Sequence, residues 1–569
     1  MPTQTQVAAA ELFERHRPTL ERAIEALGVR GYWSPFPESL KQYPEAAVQN
    51  AQAEFEASLG RHFTLVGPDA IARVGGERSP YGLELGVSYD QYDPDALMAR
   101  MQAAMPAWRD AGPQARVGVC MEILQRLNGL SPTMAHAVMH TSGQGYMMAF
   151  QAGGPHAQDR ALEALAYAWQ AMSAVPEGAS WIKPQGKQAP LVLNKRWHIV
   201  PRGLALVIAC STFPTWNTYP GLFASLVTGN PVMVKAHPHA ILPVAMSVRV
   251  AQQVLAELGF DPALVSLVVD TPDAPVSQRL ALDTRVKLVD FTGSSTFGNW
   301  LETNARQAQV FTEKSGINSV IIDSARDFKA VSRNLALSLS LYSGQMCTTP
   351  QAVYVPRGGI ATTDGHLSFD DVAQGLANAI RDFLADNERA CAVIGAIQSD
   401  ATAERIQACR SLGEIVLDSE TREHPQFPGA RVHTPLLLQV EAGARHAYAE
   451  ERFGPITFVI ATDDTAHSLQ LAGEVISEKG ALTLGVYSTD EKVLARAEML
   501  SQEVAVALSI NFDAGVLVNQ SAAFSDYHAS GGNPAANASI TDMAFVVRRF
   551  VTVQSRRHLA AWERADDLL

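Results

Sequence analysis

Cysteine is scarce in this chain. There are five among 569 residues, Cys120, Cys210, Cys347, Cys391 and Cys409, and none forms a Cys-x-x-Cys pair. An odd, scattered set argues against a disulfide framework or a thiolate zinc site and points to a reducing, cytoplasmic setting. Positive charge is also in deficit. Lys and Arg total 45 against 58 Asp and Glu, a formal net charge of -13. Nucleic acid demands clustered cations, so no such partner is expected, although a local basic pocket for a phosphate-bearing ligand stays open. No run reaches the ~18 consecutive apolar residues of a membrane span, so no membrane association is expected. The amino terminus, Met1-Pro2-Thr3-Gln4-Thr5-Gln6, lacks the basic head and apolar run of a signal peptide. There is no internal repeat and no extended low-complexity tract.

What is present is a long, apolar chain. Its length predicts two or three domains, and 47% hydrophobic residues suffice for sizeable cores. Residues 93–130 and 132–174 read as helix-rich, with Leu97, Met101, Met105 and Trp108 at helical spacing. Met147 and Met148 read as packing residues. After residue 190 short β-rich runs alternate with helical segments. Strands are expected at 204–209, 231–235, 265–269 and 286–291, with helices at 218–228 and 240–257. A second alternating block starts near 319. It runs through a helix around Cys347, a strand at 352–355, a helix at 370–387 and strands at 457–460 and 482–487, with a terminal strand at 545–551. Such alternation predicts an α/β fold with parallel sheets covered by helices on both faces.

Chemistry centres on Cys347, in Gly344-Gln345-Met346-Cys347-Thr348-Thr349-Pro350. Small residues before a thiol admit a carbonyl, and a helix amino terminus just after it would favour the thiolate. Asn217, in a loop with Pro214, Trp216 and Pro220, is either a turn residue or a donor to a developing oxyanion. Glu313 follows the apolar approach Gln309-Val310-Phe311 and is a candidate general base. Lys235, at a strand end, could meet a ribose hydroxyl or an adenosine phosphate. Gly293-Ser294-Ser295-Thr296-Phe297-Gly298, at a strand-to-helix turn, would bring backbone amides to a pyrophosphate. It is not the G-x-G-x-x-G fingerprint. The His237-x-His239 pair lacks a third ligand, and no metal site is expected. No histidine is recognisably placed to serve Cys347 as a partner.

Together these motifs resemble the aldehyde dehydrogenase superfamily. The order Asn217, Lys235, Gly-Ser-x-x-x-Gly, Glu313, Cys347 and Glu451-Arg452-Phe453-Gly454-Pro455 runs over family-like spacing. The resemblance implies a Rossmann-like cofactor domain (91–180 and 201–315), an α/β catalytic domain (316–530) and a small β oligomerisation flap (181–200 and 543–555), after an extension at 1–90. It implies Cys347 as nucleophile, Asn217 as oxyanion donor and Glu313 as base. It places Lys235, Gly293, Ser294, Gly298, Glu451, Phe453, Thr215 and Trp216 around a nicotinamide dinucleotide. An aldehyde substrate and a homodimer or homotetramer are implied as well. Two departures stand out. The family's Lys-Pro-Ser-Glu reads Lys235-Ala236-His237-Pro238, without the carboxylate that would repel a ribose 2′-phosphate, so NADP is favoured over NAD. The segment Ala523-Phe524-Ser525-Asp526-Tyr527-His528-Ala529-Ser530-Gly531-Gly532 is unusual. The extension and the Thr-Trp-Asn-Thr-Tyr-Pro core resemble the phenylacetic acid degradation protein N branch. That likeness implies semialdehydes carried on coenzyme A in aromatic-acid catabolism. A coenzyme A-acylating dehydrogenase is the nearest alternative, disfavoured by Glu313. A cofactor-independent cysteine hydrolase is the more distant one.

Overall fold

The computed structural model describes residues 4–513, 515–516 and 521–559. Part of the expected 316–530 segment, residues 514 and 517–520, lies outside the described residues, as does the extreme amino terminus. Two parallel sheets dominate, as the alternating pattern predicts. In the first the strands run in the order Gln309–Glu313, Val286–Thr292, Leu204–Ile208, Val232–Lys235, Val265–Val268. Leu204–Ile208 and Val232–Lys235 are buried along their whole length. Strands covered on both faces have no solvated side, which is why they read as unbroken apolar runs. Parallel pairing needs crossovers, and Tyr219–Val227, Leu242–Glu257 and Ser295–Asn304 supply helical ones.

The second sheet runs Glu414–Leu417, Leu436–Glu441, Ile456–Thr462, Pro350–Pro356, Asn318–Ile322, Thr483–Tyr487, Ala507–Ile510. All its pairs are parallel except the edge pair of Glu414–Leu417 with Leu436–Glu441. The helix expected at 370–387 is two helices, Phe369–Phe383 and Asn387–Ile394, the second capped by the Asp386 carboxylate. Residues before 91 form the helices Gln4–Val29 and Glu45–Glu56 and a three-stranded sheet. They have no separate core. Phe13, Leu20 and Phe55 join the same cluster as Leu124, Leu165 and Val234.

The flap is a long hairpin, Gly178–Gln185 with Gln188–Pro201, completed by the antiparallel strand Phe550–His558. The terminal strand starts later than expected. Met543–Val547 is a helical turn, capped by Asp542 accepting from the Phe545 amide at 2.6 Å. Phe545 and Val546 are spent on the core there, and Arg549 is clamped on Asp290 at 2.6 Å, both side chains buried. The chain is thus pinned to the first sheet until Phe550. Among the described residues, no helix is long and apolar enough to cross a membrane.

Candidate active site

In an open parallel sheet, ligands collect beyond the carboxyl ends of the strands. Here those ends are Ile208, Lys235, Val268, Thr292 and Glu313. Beyond them lies a cleft of about 890 Å³, closed on its far side by Cys347, Glu451 and Phe453 from loops that lead into strands of the second sheet. Asn217, Lys235, Gly293, Ser294, Glu313, Cys347, Glu451 and Phe453 all line it. The fold therefore brings together eight of the eleven residues expected at the site.

Cys347 is not on or before a helix. The helix Phe328–Ser340 ends in a short 3-10 turn with left-handed backbone at Tyr342 (φ 53°), Ser343 (φ 50°) and Gly344 (φ 61°). Such φ values end a helix, and anchoring side chains maintain them here. The Tyr342 hydroxyl donates to the Ser142 carbonyl at 2.6 Å, and Ser343 Oγ donates to the Ile394 carbonyl at 2.9 Å. Gly344 is required for room as well as for φ, because a Cβ there would lie 2.3 Å from the Gly454 carbonyl oxygen. Asn318 Nδ2 donates to the carbonyls of Cys347 (2.7 Å) and Thr349 (3.1 Å), holding the turn that leads into the strand Pro350–Pro356. With no helix amino terminus at the thiol, the expected dipole assistance is missing. Burial, and then the Glu313 carboxylate, push the Cys347 thiol well above its ordinary value.

Asn217 stands just ahead of the helix Tyr219–Val227. Cys210 Sγ donates to its Oδ1 at 3.4 Å, which leaves Nδ2 to donate to Thr292 Oγ1 at 3.3 Å and Glu313 Oε2 at 3.4 Å. Its N–H groups are thereby turned towards Glu313. Glu313 is almost fully buried, and its Oε1 has no hydrogen-bond partner. Burial alone would push its carboxyl up. The His528 imidazole, the Cys347 thiol and the Arg160 guanidinium outweigh that and hold it below the usual carboxylate range.

Lys235 is not a free cation. Its Nζ lies 2.7 Å from Asp270 Oδ1, and both side chains are buried. Asp270 also lines the cleft, with His237, Pro238 and His239. A carboxylate thus stands beside Lys235 from the loop after Val265–Val268. Burial pushes the neighbouring His237 down to about 3, helped by His239 and Lys235, so its ring is neutral at physiological pH. Ser294 caps the helix Ser295–Asn304 by accepting from the Phe297 amide. Glu451 accepts from the Gly316 amide at 3.5 Å. Burial pushes its carboxyl up, and the Ser315 hydroxyl and that amide oppose the shift.

Three expected contacts fall elsewhere. Thr215 Oγ1 donates to the Gly153 carbonyl at 2.8 Å, away from the cleft. Trp216 packs edge-on against His528, centroids 4.6 Å apart. Gly298 makes room for Lys314, whose Cγ would lie 2.5 Å from a Cβ there. A local motif cannot report which side of its loop faces a cleft. Asp270 and His528 were not legible as site residues. His528 lies in the unusual 523–532 segment, 181 residues from the thiol it faces at 3.7 Å, so no sequence spacing could couple the two.

The donor set suits a nicotinamide dinucleotide. A helix amino terminus at Ser294 can meet a diphosphate. The Lys235–Asp270 pair and the buried Glu451 carboxyl offer partners for ribose hydroxyls, and the cleft volume falls in the range of cofactor sites.

Residues 87–546 match the family model described as the aldehyde dehydrogenase family. The crystal structure of an NAD-dependent aldehyde dehydrogenase from Burkholderia multivorans is 56% identical, with a TM-score of 0.95, over 96% of this chain and 99% of that one. Vanillin dehydrogenase of Pseudomonas sp. (strain HR199 / DSM 7063) is 26% identical over 72% of this chain and 80% of that protein. The 3,4-dehydroadipyl-CoA semialdehyde dehydrogenase of Aromatoleum evansii is 24% identical over 51% of this chain and 57% of that protein. The matched family segment contains both sheets and every cleft residue described above, and the chain belongs to the aldehyde dehydrogenase family.

Proposed function

We propose that this protein oxidises an aldehyde to its carboxylic acid through an acyl thioester on Cys347, with water as the final acceptor. The observation that carries this reading is the convergence of Cys347, Asn217 and Glu313 in the cleft that also holds Lys235, Ser294 and Glu451. Cys347 Sγ adds to the aldehyde carbon. The carbonyl oxygen takes up the charge and receives hydrogen bonds from Asn217 Nδ2 and the Cys347 backbone amide. A preorganised donor of this kind is worth about 2.7–4 kcal/mol in the transition state. A bound nicotinamide dinucleotide supplies the hydride acceptor. Glu313 then takes a proton from water as that water attacks the thioester carbon, the C–S bond breaks, and the acid leaves. The unpartnered Oε1 is free to receive that proton.

For the cofactor, the pair Lys235–Asp270 supports NAD rather than NADP. The ammonium is already neutralised, and a 2′-phosphate would meet the Asp270 charge. This reverses the preference drawn from Pro238 alone. A semialdehyde substrate, free or linked to coenzyme A, in aromatic-acid catabolism is supported by the branch likeness and by the name of the Aromatoleum relative. Self-association is supported by the flap, whose strand Gly178–Gln185 exposes Trp181 and Ile182. The test follows reduced-cofactor absorbance with free and coenzyme A-linked aldehydes, using NAD and NADP separately. Acid formation with NAD is the expected result. Acyl-coenzyme A as the sole product, or no cofactor reduction by any aldehyde, overturns the reading.

A further inference from the structure

The cleft presents a difficulty that its three expected catalytic residues do not resolve. Cys347 is held as a thiol by burial and by the neighbouring Glu313 carboxylate, and no helix dipole offsets this. If Glu313 removed the thiol proton, it would carry that proton when the thioester forms. It would have to lose it from a buried position before it could activate water.

His528 occupies the place where this conflict can be relieved. Its Nε2 lies 3.7 Å from Cys347 Sγ and 3.2 Å from Glu313 Oε2. Nε2, Sγ and a Glu313 carboxylate oxygen all fall within 4.8 Å of one another. The ring is buried and held from several sides. Its backbone exchanges two hydrogen bonds with Ile540, at 3.0 and 2.8 Å. Trp216 packs edge-on against the imidazole. Nδ1 faces Ser521 Oγ at 3.3 Å, and that oxygen accepts from Arg160 Nη2 at 2.7 Å. Arg160 is fixed by Glu163 at 2.8 Å, with both side chains inaccessible. A hydroxyl oxygen has two acceptor lone pairs. One serves Arg160, and the other can receive Nδ1–H; in that tautomer Nε2 can accept from the Cys347 thiol, and on taking the proton it gains a donor bond to the nearer Glu313 Oε2.

We propose that His528 is the general base that activates Cys347, with Glu313 as counter-charge to the imidazolium and Ser521 and Arg160 as positioning residues. This rests on the reading of Cys347 as nucleophile. The step balances within the triad. The Sγ–H bond breaks, its electron pair stays on sulfur, and the proton goes to Nε2. The new Nε2–H donates to Glu313 Oε2, and the thiolate pair forms the S–C bond to the aldehyde. Net charge in the pocket is unchanged until substrate accepts the electrons. Glu313 stays ionised and ready for deacylation. The expulsion of thiolate in that second step returns the Nε2 proton to sulfur. Among the described residues, the other charged or titratable groups facing the triad are Arg160 and Glu163 from the helix Ala157–Ser173, the Cys210 thiol from the loop after Leu204–Ile208, and Glu451 across the cleft.

The test is the pH dependence of Cys347 alkylation by iodoacetamide in the full-length protein. It is followed by mass spectrometry of the Cys347 peptide, with EDTA present because the triad could also bind a thiophilic cation. A thiol–imidazole pair and a thiolate–imidazolium pair hold the same number of protons. The parent rate should therefore form a plateau between titration of the imidazole and direct ionisation of the thiol. In His528→Gln the plateau should vanish. The rate near neutral pH should fall at least about tenfold and climb steadily as the thiol ionises directly. An unchanged plateau overturns the proposal. Thermal melting checks that the variant is folded. If it is not, Ser521→Ala carries the test, with a lowered plateau expected and an unchanged one overturning the assignment. Should Cys347→Ala retain turnover, the nucleophile reading itself falls. If Cys347→Ala is dead while His528→Gln keeps the plateau, only the base assignment falls.

Discussion

The two ends of the cleft handle charge in opposite ways. At the Lys235 end the charges cancel in place, because the ammonium and the Asp270 carboxylate meet at 2.7 Å inside the protein. At the Cys347 end they do not. Glu313 keeps one buried oxygen without a partner, and its other oxygen lies near Asn217 and His528, close to a thiol that is pushed up. Asp270 Oδ1, like Glu313 Oε1, makes no hydrogen bond, but it has an opposite charge beside it, and a paired charge makes a surface that binds. An incompletely satisfied group in low dielectric makes one that reacts, since its missing partner can be supplied by the transition state. Within the Cys347 end the nucleophile turn is packed against the loop that carries Glu451 and Phe453, because a Cβ on Gly344 would lie 2.3 Å from the Gly454 carbonyl oxygen.

The contrast is broken most severely at the thiol. Cys347→Ala should lower turnover by at least ~10⁴-fold, as loss of a nucleophile does, while cofactor affinity stays within a few-fold of the parent. Steady-state rates and a cofactor fluorescence titration measure the two halves. Appreciable oxidation by this variant contradicts the division.

Glu313→Gln should act on the same end but on the later step. One burst of reduced cofactor is expected, then steady-state turnover slowed by about 10²–10⁴-fold. The pH dependence of the parent sharpens this. The Glu313 carboxyl is depressed, so its base form exists above that lowered value and is lost only as pH falls through it. Thioester hydrolysis should hold its rate into mildly acid buffer, where an ordinary carboxylate would begin to protonate. A decline that starts near neutral pH would assign deacylation to another group.

Gly344→Ala tests how tightly the Cys347 turn is packed against the Glu451 loop. A side chain in left-handed backbone costs about 1–3 kcal/mol, and its Cβ would press on the Gly454 carbonyl. Lower thermal stability and about ten- to a hundredfold weaker kcat are expected, with cofactor KM raised as well. A change in kcat alone would show that the two loops move independently.

The smallest effect belongs to the settled end. Asp270→Asn should leave turnover with NAD nearly unchanged and improve NADP affinity by about tenfold, by removing a like charge and freeing Lys235. Cofactor titrations with both dinucleotides decide it. Equal changes for NAD and NADP would detach Asp270 from 2′-phosphate discrimination.

Most of the first sheet and the centre of the second were legible from local pattern, whereas the strands Glu414–Leu417, Leu436–Glu441 and Ala507–Ile510 were not expected. Runs such as Leu204–Ile208 and Thr483–Tyr487 are apolar throughout because they are covered on both faces, and that signature survives without tertiary information. Local pattern misled where a long-range contact overrode it. The expected helix around Cys347 is displaced by left-handed residues anchored to Ser142 and Ile394, and the strand expected at 545–551 begins at Phe550 because Arg549 is held by Asp290. Trp216 sits beside Asn217 in sequence yet faces His528.

Sequence alone determined the residue types that can carry the chemistry and their order along the chain: a thiol, a carboxylate, an amide and a strand-end lysine. It determined the alternation that makes parallel sheets and so a cleft at their carboxyl ends. Only tertiary structure decided the company those groups keep. Asp270 neutralises Lys235 and His528 reaches Cys347 because separate strands and loops end at one edge of the fold. Charge and proton affinity are set by neighbours in space, within a few ångströms, and distance along the chain carries almost no record of them.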